Sequence, residues 1–252
     1  MKKVQKELWE GIYQDYKNHY FDYWSEKFKQ KFIFEKIFSK HNFDQKSICE
    51  LCCGSGENSK KILERFDNVK LVGFDLSINA VNDFKSSLGK NAYEYDIQTP
   101  ITDFDNSFDA IIVLGGIHHC TKNLYGVFEN ISRMLKPNGI FIMHEPNSKF
   151  FLEPLRKIWY KSDGFFDHES EHALSHGDLI RLSKKFGFEQ TSLEYTGGPG
   201  FFFILQSMIL RVPKKLKNLF APFFFVLEII WDKQNSPYLN NTFISTWTIR
   251  KK

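Results

Sequence analysis

Residues 48–58 read Ile48-Cys-Glu50-Leu-Cys-Cys-Gly54-Ser-Gly56-Glu-Asn58, and this stretch decides the fold class of the chain. An apolar run leads into a glycine-containing turn and then a helical pattern, as expected for a β-strand joined tightly to an α-helix. Glycine at 54 and 56 lets a ligand approach the backbone where a side chain would collide with it. A dinucleotide-binding fingerprint would place another glycine at position 59, which is Ser, so a nicotinamide cofactor is disfavoured.

The same strand-to-helix alternation continues from residue 47 to residue 144. It indicates repeated βα units, and therefore an α/β fold with a doubly wound, mostly parallel sheet. A further helix, capped by Ser175, and two later strands complete the pattern. The predicted strands span 47–53, 69–75, 91–95, 108–114, 138–144, 188–196 and 241–249, and the earlier predicted helices span 57–66, 77–88 and 122–135.

These boundaries divide the chain into four segments. We expect an N-terminal helical cap, a Rossmann-like core, a Phe-rich helical insertion and a final strand of the core sheet. The cap carries Trp24, Phe28 and Phe32 at helical spacing. After Glu145 we expect a loop of about 28 residues that acts as a mobile lid over the pocket. The four segments are 1–44, 45–196, 197–240 and 241–252.

Composition places the chain among globular proteins. Of its 252 residues, 42% are hydrophobic and 25% charged, so a sizeable core is expected and disordered, collagen-like and coiled-coil classes are excluded. No secretory signal pattern and no run of 18 apolar residues occurs, which predicts a cytoplasmic protein without a membrane span. Three of the four cysteines lie within residues 49–53, and we interpret them as structural rather than as a disulfide, zinc or redox site.

Acidic residues mark three successive predicted strands. Glu50 lies within an apolar strand, where burial of its carboxylate requires a partner such as a ligand ammonium group. Asp75 ends the second strand and could accept hydrogen bonds from both hydroxyls of a ribose. Asp96 follows the third strand and could accept from an adenine amino group. Because the carboxyl ends of parallel strands meet at one edge, the three acids are expected to line one crevice.

This combination resembles the class I S-adenosylmethionine-dependent methyltransferases, particularly their small-molecule branch, over residues 45–196 and the final strand. The resemblance implies a seven-stranded sheet with an antiparallel last strand and S-adenosyl-L-methionine as cofactor. The glycine turn would hold the methionine moiety. One position departs from the pattern, because the family usually has glycine where this chain has Cys52. The implied cofactor-binding residues are Glu50, Cys52, Gly54, Gly56, Asp75, Leu76, Asp96, Ile97, Leu114 and Gly115.

Candidate catalytic residues follow the fourth and fifth strands. The fourth strand runs into Ile117-His118-His119, where the family often has residues that face the transferred methyl group. An alcohol acceptor must lose its proton as it attacks, and a histidine can take that proton. His119 is the first candidate base and His118 the second, although both could instead only bond to backbone. Glu145 could orient the base, hold an acceptor hydroxyl or bind backbone amides.

Three histidines recur at four-residue intervals in the segment after Glu145. They could in principle gather a metal ion, but the helix start at Ser175 interrupts any single helical stripe. We therefore expect acceptor recognition by this segment and no metal. The three residues are His168, His172 and His176.

The insertion 197–240 combines Phe runs with a lysine cluster, and residues 197–252 carry eight Lys/Arg against two Asp/Glu. It could contact an anionic membrane face or a lipid-linked, phosphate-bearing acceptor, or form a capping helical pair or a homodimer contact. Peripheral contact with the inner face of the membrane thus stays open. Nucleic acid is disfavoured as a partner, because the basic residues lie beside Phe runs and are not spread along a groove.

The resemblance implies methyl transfer to a hydroxyl of a small-molecule acceptor. By analogy with family members from bacterial surface-polysaccharide (capsule) clusters, the expected acceptor is a carbohydrate, namely a sugar or sugar phosphate. A lipid or quinone methyltransferase is the alternative if the Phe-rich insertion lines the acceptor pocket. Outside the enzyme class, the alternative is a non-catalytic partner subunit that binds S-adenosylmethionine.

Overall fold

The computed structural model describes Glu7, Gly11, residues 20–162 and residues 172–250. The chain divides into two compact units, each assembled from segments that are distant in the sequence. The helical unit comprises Met1–His41, Lys149–Asp167 and Glu194–Phe243. The sheet unit comprises Asn42–Ser148, His168–Leu193 and Ile244–Lys252.

A seven-stranded sheet confirms the predicted fold class. The strands are β1 (Ser47–Leu51), β2 (Lys70–Asp75), β3 (Asn91–Glu94), β4 (Phe108–Leu114), β5 (Leu135–Pro146), β6 (Phe188–Thr196) and β7 (Thr242–Ile249). Their order is β3-β2-β1-β4-β5-β7-β6, mostly parallel with the last strands antiparallel. β1 pairs in parallel with both β2 and β4, so the strand order reverses beside it. Open α/β sheets place their ligands at such a switch point, outside the carboxyl ends of the strands.

Strand boundaries differ most from the prediction at β5. The sequence places its start at residue 138, after a turn, but the strand begins at Leu135. Leu135 pairs with Phe108 of β4 and Ile140 pairs with Ala110, with a register shift between the two pairs. The turn therefore interrupts the ladder as an irregularity without ending it.

Helices alternate with the strands as the periodicity predicts. The α-helices are α1 (Tyr23–Lys29), α2 (Glu35–Phe38), α3 (Glu57–Arg65), α4 (Ile78–Leu88), α5 (Leu124–Met134), α6 (Glu153–Ser162), α7 (His176–Lys185) and α8 (Lys214–Trp231). The predicted caps are confirmed, because Ser77 accepts the backbone N–H of Ala80 and Ser175 accepts that of Asp178. Among the residues that the structure describes, none of the helices has the length and apolar character of a bilayer span.

The helical unit is held by aromatic side chains. α1 continues through a π-helical turn (Gln30–Phe34) into α2, and the predicted Phe28 and Phe32 are buried with ring centroids 4.7 Å apart.

The prediction of a long loop after Glu145 is wrong in part, because α6 occupies residues 153–162. Pro154 stands in the first turn of α6, where proline is compatible with a helix.

Candidate active site

The turn between β1 and α3 has the backbone that its glycines predict. Gly54 and Gly56 have φ of 52° and 88°, in the left-handed region that glycine enters without strain. A Cβ on Gly56 would lie 2.6 Å from a side-chain carbon of Leu88 and 2.8 Å from one of Phe84, so this glycine is needed for packing against α4. A Cβ on Gly54 would meet nothing within 4 Å. Gly54 therefore borders open space, as a ligand-facing backbone position should.

Cys52, the departure from the family pattern, keeps the backbone of a glycine. Its φ is 56°, a conformation that costs an L-residue about 1–2 kcal/mol. Gly116, in the loop after β4, provides room for the side chain. A Cβ on Gly116 would lie 2.5 Å from Cys52 Cβ and 2.6 Å from its Sγ. This contact was not predicted, because no sequence pattern links positions 52 and 116.

Glu50 is fully buried on β1 and is partnered from within the chain. Asn58 Nδ2 donates to its Oε1 at 3.1 Å, and the Ser59 hydroxyl donates to its Oε2. Burial raises the pKa of Glu50 to about 7, while the two hydrogen bonds oppose the shift. Neutral donors within the chain thus bond to both oxygens of a carboxylate for which the sequence suggested a positively charged partner such as a ligand ammonium group. Ser59, which replaces the third glycine of a dinucleotide fingerprint, supplies one of its partners.

Asp75 ends β2 beside the glycine turn, as predicted. Its Oδ2 accepts the backbone N–H of Gly54 at 2.8 Å, and its Oδ1 accepts that of Ser77 at 2.9 Å. Burial raises the pKa of Asp75, whereas these N–H groups and the charge of nearby His119 act in the opposite direction. Each carboxylate oxygen carries a second lone pair. Asp75 can therefore accept ribose hydroxyls while it fixes the turn, with Leu76 next to it in the chain.

Asp96 and Ile97 lie in a turn after β3 that α5 holds in place. Asp96 Oδ1 accepts the backbone N–H of Gln98 at 3.0 Å. Asn130 of α5, which is buried, donates to the carbonyl oxygens of Ile97 and Thr99 at 2.8 and 2.7 Å. Asn130 was not predicted as part of the site, although a polar side chain on the apolar face of an amphipathic helix was an available signal.

Glu145 clamps the loop that follows β4. Its fully buried carboxylate accepts the backbone N–H groups of Gly116, Ile117 and His118 at 3.0, 2.7 and 3.3 Å. Leu114 and Gly115 lead into this loop, and Gly115 has φ of 78°; a Cβ on Gly115 would meet nothing within 4 Å. The structure shows Glu145 bound to backbone amides, one of the three roles considered for it. It also places the carboxylate against a histidine ring, as a residue that orients the base would be.

That ring belongs to His118. Its Nδ1 lies 2.8 Å from Glu145 Oε2, and its side chain is 15% exposed. An ionised carboxylate only accepts, so the contact favours a proton on Nδ1 and leaves Nε2 as an acceptor. The His119 ring packs on His118 with centroids 3.9 Å apart. The carbonyl oxygen of His118 accepts the backbone N–H of His172 at 3.2 Å, which ties the end of the long segment to this loop.

The three spaced histidines are not brought together within the described residues. His168 lies outside them, and His176 begins α7 with its Nε2 3.2 Å from Gln190 Oε1. In the part of the chain that the structure describes, no group of three His, Cys, Asp or Glu side chains is arranged to hold a metal ion. His172 contacts the loop after β4 through its backbone N–H, which donates to the carbonyl oxygen of His118.

The edge of the sheet fits the cofactor that the resemblance implies. Two glycines, Gly54 and Gly115, border open space at the ends of β1 and β4. Acidic side chains surround that edge, which suits a ligand bearing an ammonium and a sulfonium group. Of the residues predicted to bind the cofactor, Gly54, Asp75 and Gly115 lie at or just beyond the carboxyl ends of β1, β2 and β4, and the Glu50 carboxylate is fully buried.

Comparisons with known proteins agree with this geometry. Residues 48–139 match the model of a methyltransferase domain family. The chain is 28% identical over 120 residues to a highly reducing polyketide synthase of Aspergillus aculeatus, covering 43% of this chain and 5% of that protein. It is 24% identical to a malonyl-[acyl-carrier protein] O-methyltransferase of Ilyobacter polytropus, covering 58% of this chain and 56% of the relative. It is 26% identical to a demethylmenaquinone methyltransferase of Leptospira interrogans, covering 67% and 74%.

Solved structures show the same fold. A SAM-dependent methyltransferase of Methanosarcina mazei superposes with a TM-score of 0.60 at 13% identity, covering 86% of this chain and 98% of that one. A phosphoethanolamine N-methyltransferase of Haemonchus contortus, in complex with S-adenosylhomocysteine, gives 0.58 at 18% identity, covering 86% and 51%. The family match over residues 48–139, together with the shared fold, supports an S-adenosylmethionine-dependent methyltransferase with S-adenosylmethionine as its cofactor.

Proposed function

We propose that this chain transfers a methyl group from S-adenosylmethionine to a hydroxyl of a small-molecule acceptor, with His118 as the base. The observation that carries the proposal is the 2.8 Å contact between His118 Nδ1 and the buried carboxylate of Glu145. A hydroxyl acceptor must lose its proton as its oxygen attacks, and an imidazole with an accepting Nε2 is suited to take it. Because this carboxylate orients the His118 ring, the geometry favours the second of the two predicted bases over His119.

In this reaction the chain chiefly aligns two reactants. The cofactor supplies an electrophilic methyl group bound to a sulfonium sulfur. His118 Nε2 takes the hydroxyl proton as the O–CH3 bond forms and the S–CH3 bond breaks, and Glu145 stabilises the resulting imidazolium. The residues proposed to hold the cofactor are Glu50, Cys52, Gly54, Gly56, Asp75, Leu76, Asp96, Ile97, Leu114 and Gly115.

Paired substitutions test the choice of base. On an accepted substrate, His118→Gln should lower kcat by a factor of about 10²–10⁴, the usual contribution of a general base. His119→Gln is the matched control and should retain most of the rate. Binding of S-adenosylhomocysteine should stay within about twofold in both variants, because neither ring is assigned to the cofactor. A large loss in His119→Gln with activity retained in His118→Gln would transfer the role to His119.

The acceptor proposed first is a sugar or sugar phosphate of surface-polysaccharide synthesis. This proposal is supported by the resemblance to such family members and by the base, which a sugar hydroxyl requires. The test is incubation with S-adenosylmethionine and a panel of sugar phosphates and nucleotide sugars, with mass spectrometry of the products. A gain of one methyl group on a member of the panel is the expected result.

A quinone or lipid acceptor is the second candidate. The observation that favours it is the similarity to a relative named demethylmenaquinone methyltransferase. A demethylated quinone and a hydroxylated lipid belong in the same assay, and turnover of either with none of any sugar would replace the first proposal. Tight S-adenosylhomocysteine binding without turnover of any acceptor class would instead support a non-catalytic binding subunit.

A further inference from the structure

α8 buries two charged residues, one in its first turn and one in its last, and exposes most of its large apolar residues. Lys217 and Glu228 are fully buried, whereas Leu219, Phe223 and Ile230 are 67%, 60% and 58% exposed. At about 100° per residue, six of the seven exposed large apolar side chains of α8 fall on one face that covers about a third of the helix circumference, and Ile229, 39% exposed, lies outside it. This face, here called the α8 stripe, consists of Leu216, Leu219, Phe220, Phe223, Val226 and Ile230.

The two buried charges fix the helix in this orientation. Lys217 Nζ lies 2.5 Å from Asp22 Oδ2 and 2.7 Å from the Ser25 hydroxyl oxygen within the helical unit. Glu228 accepts the backbone N–H groups of Gly198 and Gly200 at 2.7 and 2.8 Å. Rotation of α8 to hide the stripe would expose one set of partners and leave buried charges unpaired, which is strongly unfavourable. The stripe is therefore held on the surface.

The charges beside the stripe are basic. Lys214 and Lys215 are exposed at the amino end of α8. The two acidic residues after position 196 are both engaged elsewhere: Glu228 is buried, and Asp232 pairs with Lys36 at 2.7 Å. An apolar stripe with the exposed Lys215 at its edge, on a helix whose one carboxylate is buried, matches an anionic phospholipid surface, with apolar side chains among the acyl chains and the lysine at the phosphates.

A second helix of the same unit has similar chemistry. On α6, Leu155 and Ile158 are 61% and 65% exposed, and Lys157 and Lys161 are exposed as well. Single exposed apolar residues are common on any protein surface. Two helices of one unit that each combine exposed apolar side chains with exposed lysines instead indicate an interaction surface.

We propose that α8 lies in the plane of an anionic membrane surface, with the α8 stripe inserted at the boundary of the headgroups and Lys215, at the edge of the stripe, bound to lipid phosphates. A helix of 18 residues is about 27 Å long and offers the stripe along its whole length. The inference concerns the helical unit alone and holds whichever acceptor is methylated.

Vesicle flotation with the full chain tests the proposal. The chain should float with vesicles that contain phosphatidylglycerol, float far less with pure phosphatidylcholine, and detach as salt is raised. Leu219→Gln with Phe223→Gln, and separately Lys214→Glu with Lys215→Glu, should each lower the bound fraction by about fivefold or more. All these positions are exposed, so circular dichroism and thermal unfolding should show unchanged folding.

Matched control variants lie on the sheet unit. Tyr125→Gln changes one residue that is 53% exposed, and Lys184→Glu with Lys185→Glu reverses an exposed lysine pair on α7. Both should leave flotation unchanged. Failure of the folded chain to float, or an equal loss in the control variants, would overturn the proposal. So would a dimer in solution that Leu219→Gln with Phe223→Gln dissociates while vesicles bind nothing, because the stripe would then join two copies.

Discussion

Two buried glutamates, one in each unit, perform the same structural task with different consequences. In the sheet unit Glu145 accepts the N–H groups of three consecutive residues, 116–118. In the helical unit Glu228 accepts those of Gly198, Gly200 and Phe201. Each carboxylate satisfies the donors of a glycine-containing turn that has no ladder partner, and buried N–H groups need such an acceptor.

The difference is the fourth contact. Glu145 also holds the ring of His118, whereas the hydrogen bonds of Glu228 run to backbone alone. Glu145 thus fixes the orientation of the His118 imidazole, a group capable of acid–base chemistry, in addition to its backbone turn. Glu228 fixes only a backbone turn and contributes to packing. A buried carboxylate is therefore a pointer to function only when it orients a reactive group.

The largest effect should come from removing each clamp. Glu145→Ala and Glu228→Ala each leave three buried N–H groups without acceptors, so each should lower the free energy of unfolding by about 3–5 kcal/mol. Urea denaturation measures this loss. Only Glu145→Ala should change the His118 ring, whose Nδ1–H tautomer is visible in long-range ¹H–¹⁵N spectra. A change of the His118 tautomer in Glu228→Ala, or none in Glu145→Ala, would erase the distinction between the two clamps.

The next effect concerns the pH dependence of stability. Burial raises the pKa of Glu50 to about 7 and that of Glu228 to about 6 from the ordinary 4.5. Between 4.5 and the raised value the folded chain binds more protons than the unfolded chain, so stability falls as pH rises through that window. Glu50→Gln should remove a decline of about 3 kcal/mol and Glu228→Gln one of about 2 kcal/mol. Parallel pH profiles for the wild type and Glu50→Gln would contradict this.

A smaller effect should link the clamped loop to the glycine turn. Gly116→Ala introduces a Cβ that would lie 2.5 Å from Cys52 Cβ, so we expect a loss of about 1–3 kcal/mol. Cys52→Gly in the same chain should restore much of that loss, and a double-mutant cycle measures the coupling. Additive effects of the two substitutions would show that the residues do not share this space.

The smallest effect should appear at Cys52 itself. Because Cys52 has φ of 56°, Cys52→Gly should be more stable than Cys52→Ala by about 1 kcal/mol, although both remove the thiol. Thermal unfolding of the two variants makes the comparison. Equal stabilities would mean that the backbone of the turn is not strained.

Features that depend on a repeated pattern or on neighbouring residues could be predicted from the sequence. Fold class followed from the alternation of apolar runs with helical patterns, and Asp75 beside Gly54 followed from their places at strand ends. The partners of Glu50 at Asn58 and Ser59 could have been found, since they open the adjoining helix. The room that Gly116 gives Cys52 depends on contact between distant segments, which periodicity does not encode. The helix α6 was missed because polar and aromatic residues mask its short apolar pattern.

Calorimetric titration with S-adenosylhomocysteine tests the central claim most directly, because it needs no knowledge of the acceptor. We predict saturable one-to-one binding that Asp75→Ala weakens by at least about tenfold, since the carboxylate that fixes Gly54 and is proposed to bind the ribose is lost. Glu228→Gln, the matched control in the helical unit, should bind as the wild type does. Absence of binding by a demonstrably folded chain, or equal affinity in Asp75→Ala, would contradict a cofactor site at the carboxyl ends of β1, β2 and β4.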